Sequence, residues 1–308
     1  MTKPGAGGSV QQAREGQTFA GASRFLRYAN FVKLPHTVFA LPFALVGVTL
    51  ATYHAAVTPA IVGWVILAFT AARFAAMGFN RIADRHIDAR NPRTAMREIP
   101  SGTLSVGDAW GAVTVAVLLF AFASSQLNAL CLALAPVAIA WVFFYSFTKR
   151  FTRWSHLVLG LGLGIAPVGG YLAVTGQWSD PWWMLVALAA AVMTWTAGFD
   201  ILYALQDIEF DQSHGLHSVP SKLGVDRALM VSRMLHVGTV LLLGAAGYAA
   251  GGGWLYAVGV TVTAGLLMFE HSLINPNDTS KVDAAFFKVN SVISSAFFAF
   301  VLVERLLR

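Results

Sequence analysis

Two short stretches of an otherwise apolar chain carry acids four residues apart. Asn80, Asp84 and Asp88 form the first, and Asp207 and Asp211 the second. In a helix this repeat stacks side chains on one face. Carboxylate and amide oxygens are hard donors. The single cysteine, Cys131, lies in an apolar run and reads as a packing residue, and no repeated histidine offers a zinc set. An all-oxygen set suits a hard divalent cation, Mg²⁺ first, which is usually completed by substrate phosphate oxygens. Cations lie nearby in sequence. Arg93 and Arg97 follow the first acids, and Tyr145 and Lys149 share one helix face. Arg binds phosphate with a two-pronged fork and Lys as a point charge. The pattern reads as a Mg²⁺–diphosphate clamp, with topology-setting as the other role open to these cations.

The elements that position these groups are membrane helices. The chain has 308 residues, 56% hydrophobic and only 12% charged, with a net charge of +6. Mean hydropathy is +0.63. Apolar segments run over 34–53, 60–79, 108–125, 129–147, 156–175, 181–203, 228–249, 254–270 and 285–303. Each approaches the roughly 20 residues needed to span a bilayer. The expected fold is an all-α polytopic bundle of about nine transmembrane helices around a central cavity. Residues 1–30, rich in Gly, Gln and Ser at their start, read as a disordered cytoplasmic tail and not a signal peptide, with the membrane domain over 31–308. Pro42, Gly162, Gly164 and Pro167 inside spans are acceptable in membrane helices.

Lys and Arg sort to one side. Arg81, Arg85, Arg90, Arg93 and Arg97 lie between spans 2 and 3, and Lys149, Arg150 and Arg153 between spans 4 and 5. The positive-inside rule places these loops and the N-terminus in the cytoplasm, leaving Arg305 and Arg308 as exceptions at an outside C-terminus. The expected location is the inner (cytoplasmic) membrane, with the active site facing the cytoplasm. The basic balance thus has a topological cause and implies no nucleic acid partner. Spans 2 and 6 run in the same direction, so both acidic clusters emerge on one face. Asp84 to Asp207 and Asp88 to Asp211 are both 123 positions apart, which hints at a repeated half.

An Asp at mid-membrane costs about 2.5–3.5 kcal/mol, so a cluster of them demands a counter-ion. Arg73 lies within span 2, two turns before Asn80, and Asp200 lies two turns before Asp207. Intramembrane charges of this kind are site candidates. His86 and Glu209 fall off the acidic faces and read as solvated. His214 and His217 lie in a polar loop with no chemistry assigned. Trp64, Trp110, Trp182, Trp183 and Trp254 read as interfacial anchors.

At these residues the chain resembles the UbiA superfamily of intramembrane prenyltransferases. The motifs are Asn80-Asp84-Asp88 after span 2 and Asp207-Asp211 after span 6. The flanks Arg93-Thr-Ala-Met-Arg97, Pro100-Ser-Gly, Tyr145-Ser-Phe-Thr-Lys149-Arg and Tyr203-Ala-Leu-Gln206-Asp207 are also similar. The branch that it most resembles comprises the 4-hydroxybenzoate polyprenyltransferases of quinone synthesis. Arg81 stands where many of those enzymes have Asp. With Ala89-Arg-Asn-Pro-Arg-Thr it resembles a related menaquinone branch that prenylates a dihydroxynaphthoate. The resemblance implies Mg²⁺ held by Asn80, Asp84, Asp88, Asp207 and Asp211, and a polyprenyl diphosphate held also by Arg93, Arg97, Tyr145 and Lys149. It implies a small aromatic acid as acceptor, with Asp200 to orient it or take a proton, and Lys33 or Arg73 to hold a carboxylate or phosphate. Two rivals remain at this level: an ion-coupled transporter, which also carries intramembrane charge, and a non-enzymatic scaffold.

Overall fold

The computed structural model describes residues 23–33, 37–274 and 285–308. Among these every regular element is helical. A short helix α1 (Arg24–Phe31) is followed by α2 (Thr37–Ala51), α3 (Pro59–Ala83) and the one-turn α4 (Arg85–Asp88). Then come α5 (Val106–Leu127), α6 (Ala129–Thr148), α7 (Ser155–Thr175) and α8 (Trp183–Ala204). The short α9 (Ile208–Ser213) and α10 (Val219–Leu223) lead to α11 (Val225–Ala249), α12 (Trp254–Ser272) and α13 (Asn290–Leu307).

Among the described residues, seven helices are long and apolar enough to cross a membrane. The remaining two expected spans are weaker. The apolar part of α2 is described over Ala40–Ala51, and residues 34–36 lie outside the described set. The last turn of α12 carries Glu270 and His271. The tail expected to be disordered over 1–30 holds α1 near its end, because Ser23 caps it by accepting the amide of Leu26 at 3.2 Å. Residues 1–22 lie outside the described residues.

α8 is the most enclosed helix, with Leu185, Leu188, Ala191, Trp195 and Ala197 all fully buried. It packs between α7 and α11. Lipid supplies no hydrophobic drive for helix pairing, so close approach depends on small residues. His156, Gly160 and Gly164 recur every four residues on the face of α7 that meets α8. A Cβ on Gly160 would collide with the carbonyl of Met193, and one on Gly164 with that of Ala189. These glycines seat the start of α7 against the half of α8 that carries Asp200.

The two basic residues that break the charge pattern are anchored at the opposite end of the bundle. Arg305 donates to Thr52 Oγ1 at 2.7 Å and stacks over Tyr53. Arg308 pairs with Glu304 at 3.3 Å. Glu304 in turn accepts the backbone amides of Gly253 and Tyr256 at the start of α12. Exposed Trp110, Trp182 and Trp254 sit near helix ends, as expected of interfacial anchors.

The close approach of α7 and α8 generates a prediction. Gly160→Leu should separate the two helices, lowering the unfolding temperature in detergent by several degrees and abolishing activity. Wild-type stability in that variant would show that the contact does not set the spacing.

Candidate active site

Both acidic motifs sit where a helix breaks. Asp84 closes α3 at φ −95°, ψ 4°, and Asp207 opens α9 at φ −108°, ψ 8°. Both lie in the bridge region, which is sparsely populated and frequent at active sites. Each break re-aims the chain while the four-residue stacking continues. The amide of Asp84 donates to the Asn80 carbonyl at 2.9 Å, and that of Asp88 to Asp84 at 2.8 Å. The same local distortion at two positions 123 residues apart agrees with the sequence hint of a repeated half.

All twelve candidate residues line one cavity of about 430 Å³. One end is polar and holds Asn80, Asp84, Asp88, Arg93, Arg97, Tyr145, Lys149, Asp200, Asp207 and Asp211. The remaining wall is largely apolar, with Phe69, Phe120, Leu134, Ile139, Leu163 and Phe199. Lys33 and Arg73 also line it. Arg73 reaches back to the start of the chain, donating to the Val32 carbonyl at 3.4 Å and Thr37 Oγ1 at 3.3 Å.

Three of the motif acids each meet an arginine. Arg93 forks onto Asp207, with Nε to Oδ1 at 2.9 Å and Nη2 to Oδ2 at 2.6 Å. Asn91 adds a bond to Asp207 Oδ1 at 3.0 Å, and Tyr203 accepts from Arg93 Nη1 at 2.9 Å. Arg97 holds Asp88 Oδ1 at 2.7 Å. Arg150 and Asn80 hold Asp84, at 3.2 and 3.0 Å. Asp211 accepts from Ser218 at 2.9 Å. The loop after α4 therefore bridges the two motifs: Arg97 bonds the first and Arg93 the second.

Electrostatics agree with this geometry. Burial, reinforced by the negative charge of Asp88, pushes the Asp84 carboxyl above its usual range despite Arg150 and Lys149. Burial opposes the charge on Lys149, but Asp211, Asp207 and Asp200 outweigh it and raise its ammonium above the usual lysine value. Lys149 therefore feels both motifs and stays protonated at neutral pH.

The donor set fits a hard cation. It is all oxygen, and the buried Oδ2 of Asp88 has no hydrogen-bond partner. Among the described residues no three His, Cys, Asp or Glu side chains are already gathered closely enough to hold a metal ion. Each carboxylate is instead turned toward its own partner.

Several of these contacts were invisible in the sequence. Arg150 looked like a topology signal and His156 like the first residue of a span, and nothing marked Ser218. Asp200 accepts a bond of 2.7 Å from buried His156. Only an Asp and a His on neighbouring helix ends hinted at it. His86 and Glu209 are exposed, as read from their positions.

Comparison with known proteins follows this geometry. Residues 40–292 match the UbiA prenyltransferase family. The chain belongs to that family, and it is a membrane-embedded prenyltransferase. Similar relatives include a 4-hydroxybenzoate octaprenyltransferase of Klebsiella pneumoniae, 30% identical over 74% of this chain and 80% of that protein. The Sodalis glossinidius protein of the same name is 32% identical over 71% of this chain and 74% of its own length. Among solved structures, the apo form of a UbiA homolog from Aeropyrum pernix K1 superposes with a TM-score of 0.80 at 33% identity, covering 87% of this chain and 97% of that one. A homolog from Archaeoglobus fulgidus bound to DMAPP and Mg²⁺ shares the fold, with a TM-score of 0.68 at 18% identity over 92% of this chain and 100% of that one.

The fork between Arg93 and Asp207 is buried on both sides, which sets up a prediction. Arg93→Ala leaves a buried carboxylate short of its cation and should cost about 3–5 kcal/mol of stability. Arg93→Lys restores charge without the fork and should fall between the two. Unfolding in detergent reads both values; an Arg93→Ala protein as stable as wild type would contradict the pairing.

Proposed function

We propose that this chain transfers a polyprenyl group from its diphosphate to a 4-hydroxybenzoate-type aromatic acid in quinone biosynthesis, with Mg²⁺ as cofactor and release of diphosphate. The carrying observation is the cavity itself: two acid motifs interleaved with cations at one end, apolar walls beyond. Relatives named 4-hydroxybenzoate octaprenyltransferase support the acceptor class. The Archaeoglobus structure bound to DMAPP and Mg²⁺ supports the donor class and the ion.

In this reading Asp84, Asp88, Asp207 and Asp211, with Asn80, hold the ion, which offsets charge on the leaving diphosphate. Arg93, Arg97 and Lys149 bind phosphate oxygens, with Tyr145 beside them. The arginines are already within reach, because each carboxylate they now hold passes to the cation as phosphate arrives. The allylic C–O bond breaks toward a carbocation, and the electron pair leaves with the diphosphate. Phe69, Phe120 and Phe199 keep water out, and their ring faces stabilise positive charge. The acceptor ring attacks from the carbon ortho to its hydroxyl, forming the C–C bond. Asp200 orients the hydroxyl or takes the ring proton. Lys33 or Arg73 faces the acceptor carboxylate or a phosphate. The protein is expected in the inner (cytoplasmic) membrane with this site on the cytoplasmic side, in line with its loop charges.

Arg81 favours a second acceptor, 1,4-dihydroxy-6-naphthoate. It follows Asn80 directly and is buried beside α1. Washed membranes, Mg²⁺ and one polyprenyl diphosphate, offered each acceptor in turn with products weighed by mass, decide between them. Prenylated benzoate is expected. Naphthoate product alone would move the acceptor to the second class, and no prenylated ring from either would overturn the assignment. In the same assay Asp84→Asn and Asp207→Asn should each lose Mg²⁺-dependent turnover, while the protein still elutes as a folded species. Full activity of either would remove the clamp.

A further inference from the structure

We infer that His156 is a positioning residue for the acceptor, fixing the carboxylate of Asp200 toward the ring hydroxyl. This rests on the acceptor reading above and assigns a role to a residue outside both acid motifs. His156 is fully buried at the start of α7. Its Nε2 accepts the backbone amide of Val219 at 3.2 Å, so Nδ1 carries the proton. That Nδ1–H donates to Asp200 Oδ2 at 2.7 Å. The ring thus has one orientation and one tautomer, and Asp200 has one oxygen occupied. The side chain of Asp200 keeps 16% of its surface open, and the residue lines the cavity.

Two features give this dyad more than a packing role. Gly160, one turn along from His156, lets α7 sit against the Met193 carbonyl of α8, and this places the imidazole beside Asp200. The Val219 amide belongs to the first turn of α10, whose N-cap Ser218 donates to Asp211 at 2.9 Å. One imidazole therefore ties the carboxylate facing the cavity to the turn that holds a carboxylate of the second acid motif. A phenolic hydroxyl donating to Asp200 becomes more electron-rich at its ortho carbon. Carboxylate orientation then decides which ring position meets the prenyl cation.

Steady-state kinetics of the full chain in nanodiscs, with Mg²⁺, one polyprenyl diphosphate and 4-hydroxybenzoate, test this. His156→Leu should lose about tenfold or more in kcat/KM for the acceptor, the scale of a lost hydrogen bond to a charged group. The donor KM and the Mg²⁺ dependence should stay within about twofold. His156→Asn, which retains a donor at the Nδ1 position, should recover most of the loss, and it serves as the test if the leucine variant does not fold. Asp200→Asn should reproduce the acceptor defect, and His156→Leu added to it should cost little more. Equal defects in donor and acceptor terms, or additive losses in the double variant, would reduce His156 to packing and overturn the proposal. So would an unchanged acceptor kcat/KM in an active His156→Leu enzyme. If the wild-type chain prenylates no phenolic acid, the acceptor reading falls and takes this role with it.

Discussion

Acidic side chains at a membrane helix end must find positive charge, and the architecture follows from that need. Desolvating a carboxylate costs several kcal/mol, which a partner cation offsets only with good geometry. Asp207, Asp88 and Asp84 each meet an arginine, and Arg93 does so through a planar fork. The loop between α4 and α5 carries two of these arginines and closes over the cavity end. Ile99 and Leu104 also seat the loop on an apolar cluster with Phe31 and Ile82. Without the loop Asp88 and Asp207 would lose their cations.

In the proposed reading these pairs make the site responsive: an ion that takes the carboxylates would free Arg93 and Arg97, and a diphosphate that takes the arginines would free the carboxylates. Each ligand would then lower the electrostatic cost of binding the other. Backbone breaks at Asp84 and Asp207 give the acids their aim, and glycines on α7 seat buried His156 against Asp200, which lines the cavity. Rigid packing around α8 and exchangeable ion pairs at its end divide the labour between position and chemistry.

Much of this was legible in the sequence, and the reasons are specific. The four-residue spacing of Asn80, Asp84 and Asp88 survives the helix break, because the amides still bond four residues back. Loop charge asymmetry gave helix direction, which placed both acid motifs at one end. Apolar length marked the helices, though among the described residues α2 and α12 do not qualify as independent spans. Pairing was not legible. Arg93 reaches Asp207, 114 residues away, and local periodicity contains no such information. His156 was hidden for the same reason: its partners, Asp200 and Val219, lie 44 and 63 residues on. The helix α1 was missed because a capping serine in a Gly-rich tail is a weak signal. Arg150 was read as a topology charge, yet it bonds Asp84.

The exchange of partners has a direct thermodynamic signature. Calorimetric titration of the purified chain with Mg²⁺, with pyrophosphate, and with each in the presence of the other measures it. Exchange predicts weak binding of either alone and mutual tightening by the same factor, at least about fivefold, as linkage requires. Pyrophosphate affinity that is identical with and without Mg²⁺ would contradict it.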